Sequence, residues 1–198
     1  MSKISEKQNS KRINILDSAY ELFTSKSFAG TTIDDVVRKA GIAKGTFYLY
    51  FKDKYDLMDR IIAHKSLSVL RNALESLDLK KQESDTELTF TQQMIFLVER
   101  IVDYMQENKD LLTLVDKKLS KCISSFAALS DNETKEKVNT LIAQNIKSGS
   151  TREDTIKKIY LIIDLIGSVG FDAIIYESPF KIDEIKPMLF STVEKILA

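Results

Sequence analysis

Side chains able to carry covalent or acid–base chemistry are scarce in this chain. His64 is the single histidine and Cys122 the single cysteine among 198 residues. No nucleophile is placed by sequence to work with His64, so a general-base role is disfavoured and a place at the edge of a buried face is expected. Cys122 has only Lys121 beside it to lower its pKa and reads as an ordinary thiol. A lone cysteine excludes an intrachain disulfide and a multi-thiolate zinc or iron–sulfur site, and a lone histidine excludes a His-rich metal site. No catalytic residue, no metal and no cofactor are expected. What remains is recognition chemistry, and its residue types gather between Thr32 and Lys54, where lysines stand among aromatic side chains.

That stretch reads as a short helix, a tight turn at Gly41 and a second short helix, with about three residues between the two. A helix-turn-helix of this kind brings the N-terminal end of its second helix to base edges in the major groove. Lys44 and Gly45 open the second helix, where a side chain and a bare backbone approach bases. Thr46, Tyr48 and Leu49 project outward, whereas Phe47, Tyr50 and Phe51 include the inward face. Lys52 and Lys54 follow at the entry to the next helix, placed for phosphates, and Thr32 offers a hydroxyl and helix N-terminal amides to another. Charge is distributed to match. Residues 1–54 carry ten Lys/Arg and six Asp/Glu, although the whole chain is neutral with 29 of each sign. A basic end on an acidic body suits an anionic partner for one end only.

The elements that must position these residues are helical. Six Gly and two Pro are too few to punctuate a many-stranded protein, and apolar residues recur at helical spacing nearly throughout. The pattern predicts an all-α fold of about nine helices. The first spans about Asn9 to Lys26 on the stripe Ile13, Leu16, Tyr20 and Phe23. Thr32 caps the second, with Asp35 at its third position, and Asp53 caps the fourth, which runs to about Asp78. A polar loop is expected over residues 80–87, then helices from Leu88 to Gln106 and from Asn108 to about Leu119. Residues 122–129 are ambiguous. A further helix opens at Asp131 or Asn132. Ser150 with Glu153 suggests a capping box for a long helix to Tyr176, and Pro179 separates that from a last helix over Asp183 to Leu197. The expected domains are a DNA-binding segment, residues 1–54, and a helical body, residues 55–198, linked by the helix over 53–78. No run reaches the roughly 18 uncharged apolar residues of a membrane span. The nearest, Ile159 to Tyr176, is broken by Asp164 and Asp172, and Met1 to Ser10 lacks the apolar core of a signal peptide. No membrane partner is expected, and the expected location is the cytoplasm, at the nucleoid.

Between Thr32 and Lys54 the residues resemble the TetR family of bacterial transcriptional regulators. The likeness lies in a capping Thr32, a short helix ending in Ala40-Gly41, and the run Gly45-Thr46-Phe47-Tyr48-Leu49-Tyr50-Phe51-Lys52-Asp53-Lys54, followed by Asp56-Leu57. It covers about residues 10–60. Carried over position by position, the resemblance implies phosphate contacts from Thr32, Tyr48 and Lys54 and base-edge approach by Lys44, Gly45 and Thr46. Two positions depart from it. Ala43 stands where Ser or Thr commonly caps the recognition helix, a loss of about 1 kcal/mol of local stability. Leu49 stands where a polar or aromatic residue is common, so a contact there would be apolar, as to a thymine methyl.

The resemblance further implies a C-terminal domain that binds an effector and dimerises. Helix-spaced Met and aromatic residues are ordinarily core, but together Met58, Ile62, His64, Phe90, Met94, Met105, Phe126 and Tyr160 are the candidates to line an effector cavity. The helix from Arg152 is apolar nearly all round from Ile159 onward, with Gly167 and Gly170 costly in its interior, so it is expected to meet a second copy through Ile163, Gly167, Gly170 and Ile174. The expected function is a sequence-specific, homodimeric repressor on double-stranded DNA, released from a palindromic operator by a small molecule, and not an enzyme. Two alternatives stay open: a ligand-independent DNA-binding regulator of the same fold, and an all-helical enzyme or scaffold without DNA binding.

Overall fold

The computed structural model describes residues 3–115, 132–147 and 149–198. Among these residues every regular element is helical: α1 Lys3–Lys26, α2 Ile33–Ala40, α3 Lys44–Tyr50, α4 Lys54–Glu83, α5 Phe90–Glu107, α6 Lys109–Val115, α7 Asn132–Lys147, α8 Arg152–Phe171, a π-helical turn Asp172–Tyr176, and α9 Ile182–Leu197. Cys122, Phe126 and the ambiguous segment 122–129 lie outside the described residues. The chain divides into two compact units, Met1–Lys65 and Ser66–Ala198, with the boundary inside α4.

The first unit forms around one apolar seam. Ile15, Leu16, Ala19, Leu22 and Phe23 of α1 are buried together with Val36, Val37 and Ala40 of α2, Phe47 and Phe51 at α3, and Leu57 and Ile61 of α4. The caps fall where the sequence put them. Thr32 accepts from the Asp35 amide, and the Asp35 carboxylate accepts from the Thr32 amide. Gly41 ends α2 in the left-handed region at φ 65°, and its amide returns to the carbonyls of Val37 and Arg38. That conformation carries no steric penalty for glycine. The Asp53 carboxylate accepts from the Tyr55 and Asp56 amides, both at 2.8 Å, and so starts α4.

In the second unit α5, α8 and α9 pack on one another, with α7 against α8 and α6 against the π-helical turn. The core joins Ala73, Leu74 and Leu77 of α4 to Phe90, Met94, Leu97, Val98 and Val102 of α5, Ile162 and Ile166 of α8, and Leu189 and Val193 of α9. Two buried polar groups are paired across elements: Asn145 of α7 donates to the Thr155 hydroxyl at 2.9 Å, and that hydroxyl donates to the Thr151 carbonyl. By length and composition Arg152–Tyr176 is apolar enough to cross a membrane, at mean hydropathy 1.8. Here Ile162, Ile166, Phe171 and Ile174 are consumed by the unit's own core.

Several boundaries differ from the sequence expectation. α1 begins at Lys3, and α4 continues to Glu83 through residues expected as loop. Lys80 lies over the Phe96 ring at 4.4 Å, so the extra turn has a partner that its polar composition concealed. Asn108 closes α5 as well as opening α6: its side-chain amide donates to the Tyr104 carbonyl, and its own carbonyl accepts from Leu112. The cap of α8 is Thr151, one residue beyond Ser150, with Asp154 as its partner.

Candidate nucleic-acid interface

α2 and α3 are separated by Gly41, Ile42 and Ala43, which makes the pair a helix-turn-helix. α3 has only seven residues, too few to hold together alone in water. It persists because Phe47 and Phe51 are 0% and 1% exposed on its inner side. Nothing caps it: Ala43 has the extended backbone of an N-cap but no side chain to accept an amide. Lys44 at the first position adds a cation to the positive end of the helix, which is unfavourable by about 0.3–1 kcal/mol.

The outer side of α3 carries the residues expected to meet DNA. Tyr48 is 52% and Leu49 82% exposed. Thr32, Lys44, Gly45 and Lys52 are exposed as well, and Thr46 is half-buried. A Cβ built on Gly45 would meet nothing within 4 Å, so no packing inside this chain requires glycine there. The Thr32 hydroxyl accepts from the Asp35 amide and donates to the Asp35 carboxylate at 2.7 Å. Hydrogen bonds from the Thr32 side chain, then its backbone, hold the Asp35 carboxyl below its ordinary range. The capping box is therefore complete above the usual carboxylate range and is lost as pH falls through the depressed value.

Two lysines are less free than the sequence suggested. Lys54 was expected to reach a phosphate. Its ammonium instead donates to the Phe28 carbonyl at 2.8 Å and the Thr31 carbonyl at 3.0 Å, and lies over the Phe28 ring at 4.3 Å. It ties the start of α4 to the loop before α2, because that loop ends with carbonyls turned toward it. Lys54→Ala is therefore expected to lower the unfolding free energy by about 1–3 kcal/mol, since it strips a charged donor from two part-buried carbonyls. Denaturant unfolding of the full chain measures this; an unchanged midpoint would show the tie to be dispensable. The second lysine, Lys44, is paired with Asp34 of α2 at 2.9 Å. Sequence reasoning passed over Asp34; the available signal was a second acid beside the one that caps α2.

The proposed effector residues do not come together as one lining. Phe90, Met94 and Met105 are 6–7% exposed inside the core of the second unit. Met58, Ile62 and His64 are half-buried residues of the first unit. Tyr160 is 47% exposed on α8 and faces outward, and Phe126 lies outside the described residues. A half-open cleft of about 370 Å³ in the second unit is lined instead by Leu88, Thr91, Gln92, Ile95, Phe96 and Glu99 of the α5 region with Lys80 and Glu194.

The expected dimer residues lie mostly inside the second unit of the single chain. Ile174 is 2% exposed, Gly167 and Gly170 are buried, and Ile163 is half-buried. A Cβ on Gly170 would lie 2.9 Å from the Met105 methyl, so the close approach it permits is to α5 of the same chain. An all-round apolar helix does not disclose which face is internal. The face left outside carries Ile156, Tyr160 and Leu161, at 44–55% exposure, beside Asp164 and Ser168. α9 adds Met188, 67% exposed.

Comparison with known proteins follows this division. Residues 15–61 match the family described as bacterial regulatory proteins, tetR family. Among curated proteins, 50 residues are 44% identical to the uncharacterized HTH-type transcriptional regulator YerO of Bacillus subtilis, covering 25% of this chain and 17% of that protein. A second B. subtilis regulator, YvdT, is 47% identical over 47 residues, or 24% of each chain. The chain thus matches about a fifth of the length of these relatives. Solved structures share the fold over nearly the whole chain. A putative TetR-family regulator from Mesorhizobium loti covers 100% of this chain and 98% of its own at TM-score 0.59 and 16% identity. FadR from B. subtilis, in complex with stearoyl-CoA, covers 91% and 96% at TM-score 0.55 and 16% identity.

Proposed function

We propose, from the premise that this chain belongs through residues 15–61 to the TetR family of bacterial transcriptional regulators, that it is a dimeric repressor released from DNA by a small molecule. The observation that carries the reading is the outer side of α3: Lys44, Gly45, Tyr48 and Leu49 stand exposed on a short helix anchored by Phe47 and Phe51. Lys44, Gly45 and Thr46 approach base edges, and Thr32, Tyr48 and Lys52 serve the backbone. Lys54 positions the loop before α2 and adds its remaining donor to that surface.

Dimerisation is assigned to the exposed apolar face of α8 and α9, centred on Tyr160, Leu161 and Met188. A two-fold pair places its recognition helices on half-sites about 34–36 Å apart, which makes the operator palindromic. The half-open cleft of about 370 Å³ in the second unit matches small-molecule sites in volume, and the similarly folded FadR holds stearoyl-CoA. An effector held by the second unit would weaken DNA binding, and operator DNA would weaken effector binding by the same factor. Such a regulator works in the cytoplasm, on the nucleoid.

The test is titration of the protein onto duplex DNA across a series of salt concentrations. The logarithm of the affinity is expected to fall linearly with log salt, with a slope of about 0.9 per phosphate neutralised. Gly45→Leu is expected to abolish preference for a duplex enriched from a random pool by the wild type while the melting temperature stays near wild type, because nothing among the described residues occupies that space. Equal loss of stability and of binding would make Gly45 structural, and salt-independent binding would remove the reading.

A further inference from the structure

We propose that Asp34 sets the selectivity of this protein for base edges over phosphates by tethering Lys44. The proposal rests on the reading of α3 as the recognition helix. Asp34 stands in the first turn of α2 and Lys44 is the first residue of α3, and their charged groups meet at 2.9 Å across the turn. Asp34 is not needed for the cap of α2, which Thr32 and Asp35 complete between themselves. What it offers is a carboxylate at a helix end that has no cap of its own and begins with a cation.

The pair is open to solvent, so the tether is a loose one. Both side chains are more than half exposed, at 54% and 61%, so water competes with the contact and it holds only weakly. Neighbouring cations are also engaged: Lys39 with Glu21 at 2.7 Å and Arg38 with Asp35 at 3.7 Å. Lys52 makes no ion pair among the described residues and is the cation of this surface left for the backbone.

An ammonium has three donors. Lys44 can keep its bond to Asp34 and still donate to a guanine edge, whose O6 and N7 acceptors are neutral. Against a phosphate the same move brings the Asp34 carboxylate beside a second anion, and like charges oppose it. Asp34 therefore leaves Lys44 available to bases and penalises its use on backbone of arbitrary sequence. Asp34 acts through Lys44 and is a positioning residue.

The experiment uses full-length protein, a duplex enriched from a random pool by the wild type, and a random-sequence duplex, with anisotropy titrations over several salt concentrations. Asp34→Asn is expected to bind the random duplex roughly 3- to 10-fold tighter at low salt and to steepen the salt slope by about 0.9 per subunit, the signature of one added phosphate contact. Preference for the enriched duplex should fall by the same factor. In a Lys44→Ala background Asp34→Asn should change neither quantity. Unchanged random-duplex affinity and slope would overturn the proposal. An equal gain without Lys44 would overturn it as well, by making Asp34 a simple repelling charge. Wild-type protein that binds neither duplex at low salt would remove the DNA-binding reading beneath it.

Discussion

Phe47→Ala is expected to unfold the first unit, at a cost of about 3–5 kcal/mol. The ring is 0% exposed, meets Phe51 at 5.6 Å between centroids, and is the main side chain that α3 sends inward. Removing it leaves a cavity beneath a helix with no cap to hold its first turn. Domains are stable by only about 5–15 kcal/mol in total, and a unit of some 65 residues belongs at the low end of that range. Thermal unfolding of the full chain followed by circular dichroism should show an early transition and loss of DNA binding together. Tyr48→Ala, one residue along and 52% exposed, is the control and should move stability by no more than about 0.5 kcal/mol. Equal melting of the two variants would refute the assignment of inner and outer sides.

Leu161→Glu is expected to leave each chain folded and to lower affinity for a two-half-site duplex by about 10²- to 10⁴-fold, the range lost when two linked contacts become separate. Leu161 is 55% exposed on the face of α8 that also carries Ile156 and Tyr160, so a carboxylate there is hydrated in a lone chain and buried in a pair. Sedimentation should show the wild type as a dimer and the variant as a monomer at the same concentration. Gly170→Leu provides the contrast. With the Met105 methyl 2.9 Å from the added Cβ, it should lower stability by about 1–3 kcal/mol through overpacking instead of separating folded subunits.

The helix-turn-helix was legible in the sequence because its signals are local. A cap at Thr32 with Asp35, a tight turn at Gly41 and a cap at Asp53 each need only neighbours along the chain, and all three fall where expected, whereas the left-handed residue after α1 is Ser27 and not Gly30. The exposed Tyr48 and Leu49 follow from the inward Phe47 and Phe51 by helical geometry. The seat of Lys54 was not legible because its partners, the Phe28 and Thr31 carbonyls, lie 26 and 23 residues away. A lysine beside a basic motif gives no sign of whether backbone oxygens will claim it. The second unit was harder for a related reason. α8 is apolar on every side, so periodicity fixes that it is a helix but not which face meets α5 and which is left outside. The effector candidates met the same limit: helical spacing marks Met94 and Met105, which stand in the core of the second unit, without showing what space they border.

The missing cap of α3 has a consequence for binding measured at equilibrium. A seven-residue helix that opens with Lys44 and Gly45 after the N-cap Ala43 has its first turn closed on the Ala43 carbonyl by the Thr46 amide at 2.9 Å and the Phe47 amide at 3.4 Å, with no side-chain cap. Segments of this kind open locally at far smaller free energies than the whole domain. DNA selects the closed form, so measured affinity is the intrinsic affinity scaled by the closed fraction. Substitutions behind α3, which touch no nucleotide, can then change DNA affinity by altering how often the helix is whole when the groove arrives.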